Sequence, residues 1–113
     1  MEINKEYEKM RRSLEIISEK TRYKILLTLL ASEKSLSFSG LKELLPSIPE
    51  NTLIYHINIL KEENFIKNEK RNEYKRSEPR SFYSLNKKSI TLLSSLGLTA
   101  VKKEFQDLFK QTT

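Results

Sequence analysis

The chain has 113 residues, enough for one domain with a modest core but too few for two. Charged residues make up 32% and hydrophobic residues 37%, a balance typical of a small, surface-rich helical protein rather than a compact enzyme. The absence of cysteine excludes disulfides, thiolate metal sites and cysteine redox chemistry. The longest apolar run, residues 25–31, is far shorter than the ~20 residues that span a bilayer, and the amino terminus lacks the apolar segment of a secretion signal. We therefore expect a single domain over residues 1–113, cytoplasmic and without a membrane partner.

The net charge of +6 is distributed unevenly along the chain. Residues 65–88 carry eight Lys or Arg and three Asp or Glu, whereas residues 37–64 carry two and four. A local basic cluster attracts a polyanion, whereas an evenly mixed surface does not. A solvated lysine-rich surface is the alternative, and charge alone does not decide between the two.

A first helix is predicted over residues 2–17, with apolar residues spaced by four, three, four and three. Two heptads are too few for a free-standing coiled coil but enough for an arm that packs on another body, such as a second copy of the chain. This amino-terminal seam consists of Ile3, Tyr7, Met10, Leu14 and Ile17.

Two further helices are predicted before the first prolines. One covers residues 18–32 with Ser18 as its cap, and its apolar positions form a broad buried stripe. A short extended piece, residues 35–37, leads into a helix over residues 38–45 that Ser37 caps.

Pro46 and Pro49 bracket a turn through which neither flanking helix can continue. A fourth helix is predicted over residues 50–63, with Asn64 as a left-handed residue after it. A short helix, a tight turn and a second helix are typical of proteins that insert the second helix into duplex DNA.

A β-hairpin is predicted next, with strands at residues 66–70 and 81–85 and a polar tip at residues 72–80. From residue 87 the pattern is helical again, interrupted by Gly97, so we expect a kinked helix or two pieces with Thr99 capping the second. The last part carries a second apolar seam, consisting of Leu98, Val101, Phe105 and Leu108.

The fourth helix has two distinct sides when its residues are placed at ~100° intervals. Leu53, Ile57 and Leu60 share the side predicted to be buried, flanked by His56 and Lys61. Asn can pair bidentately with adenine, and the methyl groups of Thr or Ile can meet a thymine methyl, so the outward side favours A·T-containing sites. An ordinary packing helix is the alternative. The outward side consists of Asn51, Tyr55 and Asn58, with Thr52 and Ile54 at its edges.

The hairpin supplies the cations for the phosphate backbone or minor groove. A charged loop without a ligand is the alternative reading. The complete set of candidate DNA-binding residues is Ser37, Asn51, Thr52, Ile54, Tyr55, Asn58, Lys61, Lys70, Arg71, Lys75, Arg76 and Arg80.

Four segments, residues 20–30, 37–45, 51–66 and 80–89, resemble in order and spacing the winged-helix transcription regulators of the ArsR type and their MarR-like relatives. The third segment, NTLIYHINILKEENFI, is the most specific. The resemblance implies a symmetric homodimer with the terminal helices at its interface and a recognition helix from each subunit in successive major grooves. Metal-sensing members use cysteines and clustered histidines or carboxylates. This chain has no cysteine and only His56, so we expect no metal and no cofactor, and a structural role for His56 where the fourth helix meets the hairpin.

The expected fold is mainly α with a small β-hairpin wing: a winged helix-turn-helix over residues 18–86, a dimerisation helix before it at 1–17, and a helical dimerisation segment after it at 87–113. The expected function is a dimeric, sequence-specific regulator that binds double-stranded DNA. A winged-helix module that docks on the transcription machinery and a non-specific, chromatin-type DNA-binding protein are the alternatives. With one histidine, two glycines and no Gly-rich phosphate loop, the chain offers no catalytic residues, and we expect no enzyme.

Overall fold

The computed structural model describes residues 2–72 and 79–112, apart from the side chains of residues 2, 3, 105 and 109–112. The fold is mainly helical with a small three-stranded antiparallel sheet, the winged helix-turn-helix arrangement predicted from the sequence. Lys75 and Arg76, and the side chains of Ile3 and Phe105, lie outside the described part. No helix within it is both long and apolar enough to cross a membrane. The elements in chain order are α1 (Glu2–Ser18), α2 (Lys20–Ser32), β1 (Leu36–Ser37), α3 (Phe38–Leu44), α4 (Glu50–Glu62), β2 (Ile66–Arg71), β3 (Arg80–Leu85), α5 (Lys87–Ser95), a 3₁₀ turn (Leu98–Val101) and α6 (Lys102–Thr112).

The sheet has the strand order β1-β3-β2. β2 and β3 form the predicted hairpin, with Ile66 opposite Leu85 at its base and Arg71 opposite Arg80 at its outer end. The extended piece before α3 is a short strand, and Leu36 pairs with Tyr83 of β3, a pairing that the sequence analysis did not address. This pairing joins the start of α3 directly to the wing.

The core is built around α2, in which the predicted stripe residues from Ile25 to Leu30 are buried. Leu27, Thr28 and Ala31 are buried as well, so this part of the helix is covered on all sides rather than along a stripe. Leu53 and Leu60 of α4 are completely buried against it, and Phe65 is 1% exposed just after α4 ends. Burial of these large side chains, at roughly 25 cal/mol per Å² of apolar surface, orients α4 with one side inward. The opposite side of α4 therefore faces away from the core.

The junction of α1 and α2 differs from the sequence-based expectation. Glu19, not Ser18, is the N-cap of α2, since its carboxylate Oε1 accepts hydrogen bonds from the backbone N–H groups of Thr21 (2.7 Å) and Arg22 (2.9 Å). Short polar side chains are the commoner caps, which is why the sequence favoured the serine. Ile17 is only 4% exposed, so this residue of the predicted interface seam belongs to the core of its own chain.

The carboxy-terminal segment forms two helices rather than one kinked helix. Gly97 has φ 76°, a left-handed conformation that glycine adopts without strain, and it lies between α5 and the 3₁₀ turn. Thr99 lies inside this turn instead of capping a helix, and α6 begins at Lys102. Leu98 and Val101 pack, half-buried, against the core of their own chain.

Candidate nucleic-acid interface

The turn between α3 and α4 is held by a lysine that the sequence analysis did not single out. The ammonium group of Lys42 donates hydrogen bonds to the carbonyl of Pro46 (3.1 Å) and to that of Ile48. Ile48 is buried, which anchors the middle of the turn to the core. Lysine near a helix C-terminus commonly satisfies the last carbonyls, so the position of Lys42 in the last turn of α3 was the available signal.

The two sides of α4 separate as predicted. Leu53, Ile57 and Leu60 are at most 2% exposed, whereas Tyr55 is 61% and Ile54 44% exposed. On the outward side Asn51 and Asn58 are also exposed, and Thr52 is half-buried at its edge. The described chain therefore leaves this side of α4 accessible to a partner. Lys61, also half-buried, lies in the last turn of the helix.

The two outward asparagines are not chemically equivalent. Asn51 Oδ1 accepts a hydrogen bond from the backbone N–H of Thr52 (2.9 Å), so its amide group remains mainly as a donor. Within the described residues, Asn58 makes no side-chain hydrogen bond and keeps both its acceptor and its donor. A bidentate contact to adenine needs both groups, so Asn58 is the better candidate.

Ser37 and the start of α3 lie beside the wing. The Ser37 hydroxyl accepts a hydrogen bond from the Gly40 N–H (3.1 Å) as the predicted helix cap, and it also contacts the Ser39 hydroxyl at 3.1 Å. A groove between the start of α3 and β3 is lined by Ser37, Ser39, Arg80 and Tyr83. The structure thus brings Ser37 close to Arg80, although 43 positions along the chain separate them.

The middle of α4 is fixed to the α1–α2 junction through His56. Its Nδ1 lies 3.1 Å from Arg22 Nη1, while Arg22 Nε donates to the Ile16 carbonyl at 2.7 Å. Because the guanidinium can only donate, Nδ1 is the acceptor and the imidazole is neutral. His56 is structural, as expected, but its hydrogen-bond partner Arg22 is in α2 rather than in the wing.

Acidification is expected to weaken the fold through His56. Burial lowers the pKa of His56, the nearby Glu19 carboxylate opposes this, and the Arg22 charge reinforces it. The unfolded chain, with a histidine pKa near ~6.5, therefore binds more protons, and the stability from neutral His56 is lost as the pH falls below that value. The free energy of unfolding, measured with urea at about pH 7.5 and about pH 5, should fall less on acidification for His56→Gln than for the native chain.

Protonation of Glu19 contributes little to the stability change between these two pH values. Burial of its carboxyl opposes ionisation, but the N–H bonds from Arg22 and Thr21 and the proximity of His56 outweigh it, so its pKa lies below the ordinary value and it titrates at lower pH. An equal pH dependence in the native chain and the His56→Gln variant would contradict the assigned role.

The end of α4 is fastened to its neighbours before the wing begins. Asn64 has φ 64°, the predicted left-handed residue. Two acidic residues, Glu62 and Glu63, lie at this end of α4. Glu63 is paired, because Arg12 of α1 forms an ion pair with it (2.8 Å). Lys88 of α5 donates to the Glu63 carbonyl (2.8 Å) and lies 4.5 Å from the ring centre of Phe65. These contacts set the angle at which the chain leaves α4 and enters β2.

Arg71 at the outer end of β2 is held in place from three sides. Its Nε lies 3.1 Å from the Glu69 carboxylate, its Nη2 donates to the Ser35 hydroxyl at 2.9 Å, and its guanidinium carbon lies 4.5 Å from the ring centre of Phe82. The hydrogen bond and charge of Arg71, with a smaller effect of Lys67, lower the pKa of Glu69. Arg71 is nevertheless exposed, so its remaining N–H groups can reach a partner.

The outer end of the wing concentrates positive charge. Arg71 and Arg80 are opposite each other in the strand register, and like charges in this arrangement destabilise a sheet. Lys70, exposed, is opposite Ser81 on the other face. In residues 2–72 and 79–112, no group of three or more His, Asp or Glu side chains is placed to hold a metal ion.

The comparisons with known proteins agree with this geometry. A family profile for the helix-turn-helix domain matches residues 17–68. None of the curated protein sequences is similar enough to count as a match.

Three solved structures show the same fold. A Halomicrobium mukohataei protein with a GntR-superfamily winged-helix-turn-helix domain is 20% identical, with a TM-score of 0.82 over 93% of this chain and 76% of its own. A MarR-family regulator from Enterococcus faecalis V583 is 18% identical, with a TM-score of 0.70; the match covers 95% of this chain and 93% of that one. One from Porphyromonas gingivalis W83 is 25% identical, with a TM-score of 0.60 over 80% and 84%. This chain therefore carries a helix-turn-helix domain within a winged-helix fold.

Proposed function

We propose that this protein is a sequence-specific transcription regulator of the ArsR and MarR-like kind, which binds double-stranded DNA as a homodimer in the cytoplasm. α4 is the recognition helix in the major groove, and the wing formed by β2 and β3 lies on the backbone or in the minor groove. The observation that carries this proposal is the outward side of α4, which remains accessible beside a strongly basic ribbon.

The chemistry of that side suits base edges. Asn58 can offer an acceptor and a donor together, and the methyl groups of Thr52 and Ile54 can meet a thymine methyl. The side carries no arginine, the commonest reader of guanine, so sites that contain A·T pairs are favoured. Tyr55 adds an exposed phenol that can contact a phosphate or a base.

The wing supplies charge without sequence information. Lys70, Arg71 and Arg80, together with Lys75 and Arg76 of the tip, are the proposed phosphate contacts. Each cation that neutralises a phosphate releases a counterion and contributes roughly −0.9 to the slope of log K against log salt. Ser37 and Lys61 are proposed as further polar contacts at the edges of the surface.

A homodimer explains the apolar side of α1. Arg12 and Ile16 face the rest of the molecule, whereas Tyr7 is 67% and Met10 50% exposed on the other side. Leu14, 39% exposed, lies at the edge of that side, in a groove that Tyr23 and Leu98 also line. A contiguous exposed apolar stripe on a soluble protein marks an interaction surface. Leu108 of α6, 54% exposed, extends the proposed interface, and Ile3 and Phe105 remain part of it. Leu98 and Val101 contribute only the exposed parts of their side chains to this proposed interface, and Ile17 does not belong to it.

Asn58→Ala tests the direct readout. Sites selected from random duplexes should bind the native protein with ~10³-fold or greater preference over scrambled DNA. Removal of one bidentate contact is expected to cost ~1–3 kcal/mol on the selected site and to relax the base preference at one position of each half-site. Fluorescence anisotropy with the selected and scrambled duplexes measures both effects.

Asn51→Ala is the matched comparison, and a smaller loss is expected because its acceptor is already used within the helix. An equal loss on every DNA sequence would refute the assigned recognition face.

A docking module is the second candidate, favoured by one observation. Ile54 and Tyr55 are large apolar side chains exposed on the outward side of α4, a composition also typical of protein-binding surfaces. Duplex binding that is absent, or insensitive to salt, would favour this alternative over the regulator. Salt-sensitive binding without preference for selected sites would instead favour a non-specific, chromatin-type protein.

A further inference from the structure

A second candidate binding site lies away from the outward side of α4, in a groove between the wing and the carboxy-terminal helices. The groove has a volume of about 590 Å³, within the range of small-molecule sites. Its walls come from the end of α2 and the residues after it, from β2 and β3, from α5 and from the start of α6. A molecule bound there would contact both the wing and the carboxy-terminal segment.

The charged residues around this groove do not balance. Arg71 is paired with Glu69, and Lys102 forms an ion pair with Glu33. Two more lysines, Lys34 and Lys67, also line the groove and are exposed. Among residues 2–72 and 79–112, no carboxylate lies within ion-pair distance of either ammonium group. The charge of Lys67 contributes to the lowered pKa of Glu69, but four cationic side chains line the groove against two carboxylates, so an excess of positive charge remains.

The rest of the lining is apolar. Leu29, Leu30 and Leu85 are buried and contribute to the floor, while Ile90 of α5 is 45% exposed at the groove. A ligand of this groove must therefore do two things: cover the exposed side chain of Ile90 and bring negative charge to the lysine ammonium groups. An inorganic anion would satisfy the lysines but leave Ile90 in water, and a neutral apolar molecule would cover Ile90 but leave the ammonium groups without a counter-charge.

We propose that this groove binds a small, soluble monocarboxylate with an apolar body. The carboxylate accepts charge-assisted hydrogen bonds from Lys34 and Lys67, and the apolar body covers Leu29, Leu85 and Ile90. The two carboxylate contacts, Lys34 and Lys67, are not among the proposed DNA contacts, although Arg71, which also lines the groove, is one of them. Ligand binding is measured without DNA. The inference therefore stands or falls independently of DNA binding.

Decanoate, kept below its micelle concentration, is a suitable probe. Titration into the ¹⁵N-labelled protein should produce saturable shifts in the backbone amide signals of Lys67, Ser84 and Ile90. The expected dissociation constant is on the order of 10 µM to 1 mM. Decanol, with the same chain but no charge, and butyrate, with the charge but little apolar body, should each bind at least about tenfold more weakly.

The lysines are tested by Lys34→Gln and Lys67→Gln, each expected to weaken decanoate binding by about tenfold. Lys20→Gln and Lys103→Gln remove the same charge from exposed positions outside the groove and should leave the affinity unchanged. Three results would overturn the proposal: equal affinity for decanol, equal affinity in all four variants, or shifts centred on the apolar side of α1. The last would show that decanoate simply coats the exposed stripe of Tyr7, Met10 and Leu14.

Discussion

The double variant Lys70→Glu/Arg71→Glu is expected to bind duplex DNA on the order of 100-fold more weakly than the native chain near physiological salt. Both side chains are exposed at the outer end of β2, where Arg71 is opposite Arg80. If Lys70 and Arg71 contact phosphates as proposed, charge reversal removes both contacts and places two carboxylates against the DNA backbone. It also leaves Glu69 without its cationic partner, so the net charge of this end of the wing changes sign.

The milder variant Lys70→Gln/Arg71→Gln separates loss of contact from repulsion. Its slope of log K against log salt should be smaller by about 1.8, since each lost phosphate contact removes ~0.9. Anisotropy titrations at four or more salt concentrations measure that slope. Because phosphate contacts carry no sequence information, the loss should be similar on selected and scrambled duplexes.

Lys9→Glu/Lys103→Glu is the matched control, with the same change in net charge on exposed residues of α1 and α6. If both double reversals weakened binding equally, the effect would belong to the overall charge of the protein and not to the wing. An unchanged salt slope in the glutamine variant would remove Lys70 and Arg71 from the DNA interface.

The double variant Met10→Asp/Leu14→Asp is expected to sediment as a monomer of 13.3 kDa, whereas the native chain should sediment as a dimer. Two carboxylates in an apolar interface would each have to lose their hydration without a partner, which costs far more than the contacts they replace. Met10 and Leu14 are exposed in the single chain, so the fold itself should tolerate the change. The circular dichroism spectrum of the double variant should therefore match that of the native chain.

Loss of the dimer also has a consequence for DNA. A dimer contacts two half-sites, and binding of the second is effectively intramolecular, so the monomer should lose about 10²–10⁴-fold in affinity for a palindromic site. Lys9→Asp, which makes the same change in net charge on α1, is expected to remain dimeric and to keep its affinity. A native chain that already sediments at 13.3 kDa, or a double variant that remains dimeric, would refute the interface.

Local patterns predicted the helix-turn-helix well. The prolines at positions 46 and 49, the 3.6-residue period of α4 and the asparagine after it are local signals, and each corresponds to a feature of the structure. The prediction of a helix over residues 50–63 is confirmed to within one residue, and so is its division into a buried and an outward side. The period alone settles that division, because core burial leaves an amphipathic helix little choice of orientation.

The sequence patterns did not indicate which helices contact each other or whether the contact lies within one chain. Ile17 continues the spacing of Tyr7, Met10 and Leu14, but the last turn of α1 lies against its own core. An apolar period identifies a side that must be covered and says nothing about whether the same chain or another copy covers it. His56 is a similar case, because its partner Arg22 is 34 residues away.

Composition and local order were thus sufficient to establish a small basic winged helix with a polar outward side on its fourth helix. The joining of Leu36 to the wing, the clamp of Lys42 on the turn, and the groove between the wing and α5 required the folded chain. The physical reason is one of range: helix periods, caps and breakers act within about five residues, whereas pairing, burial and unbalanced charge depend on distant segments brought together by the core.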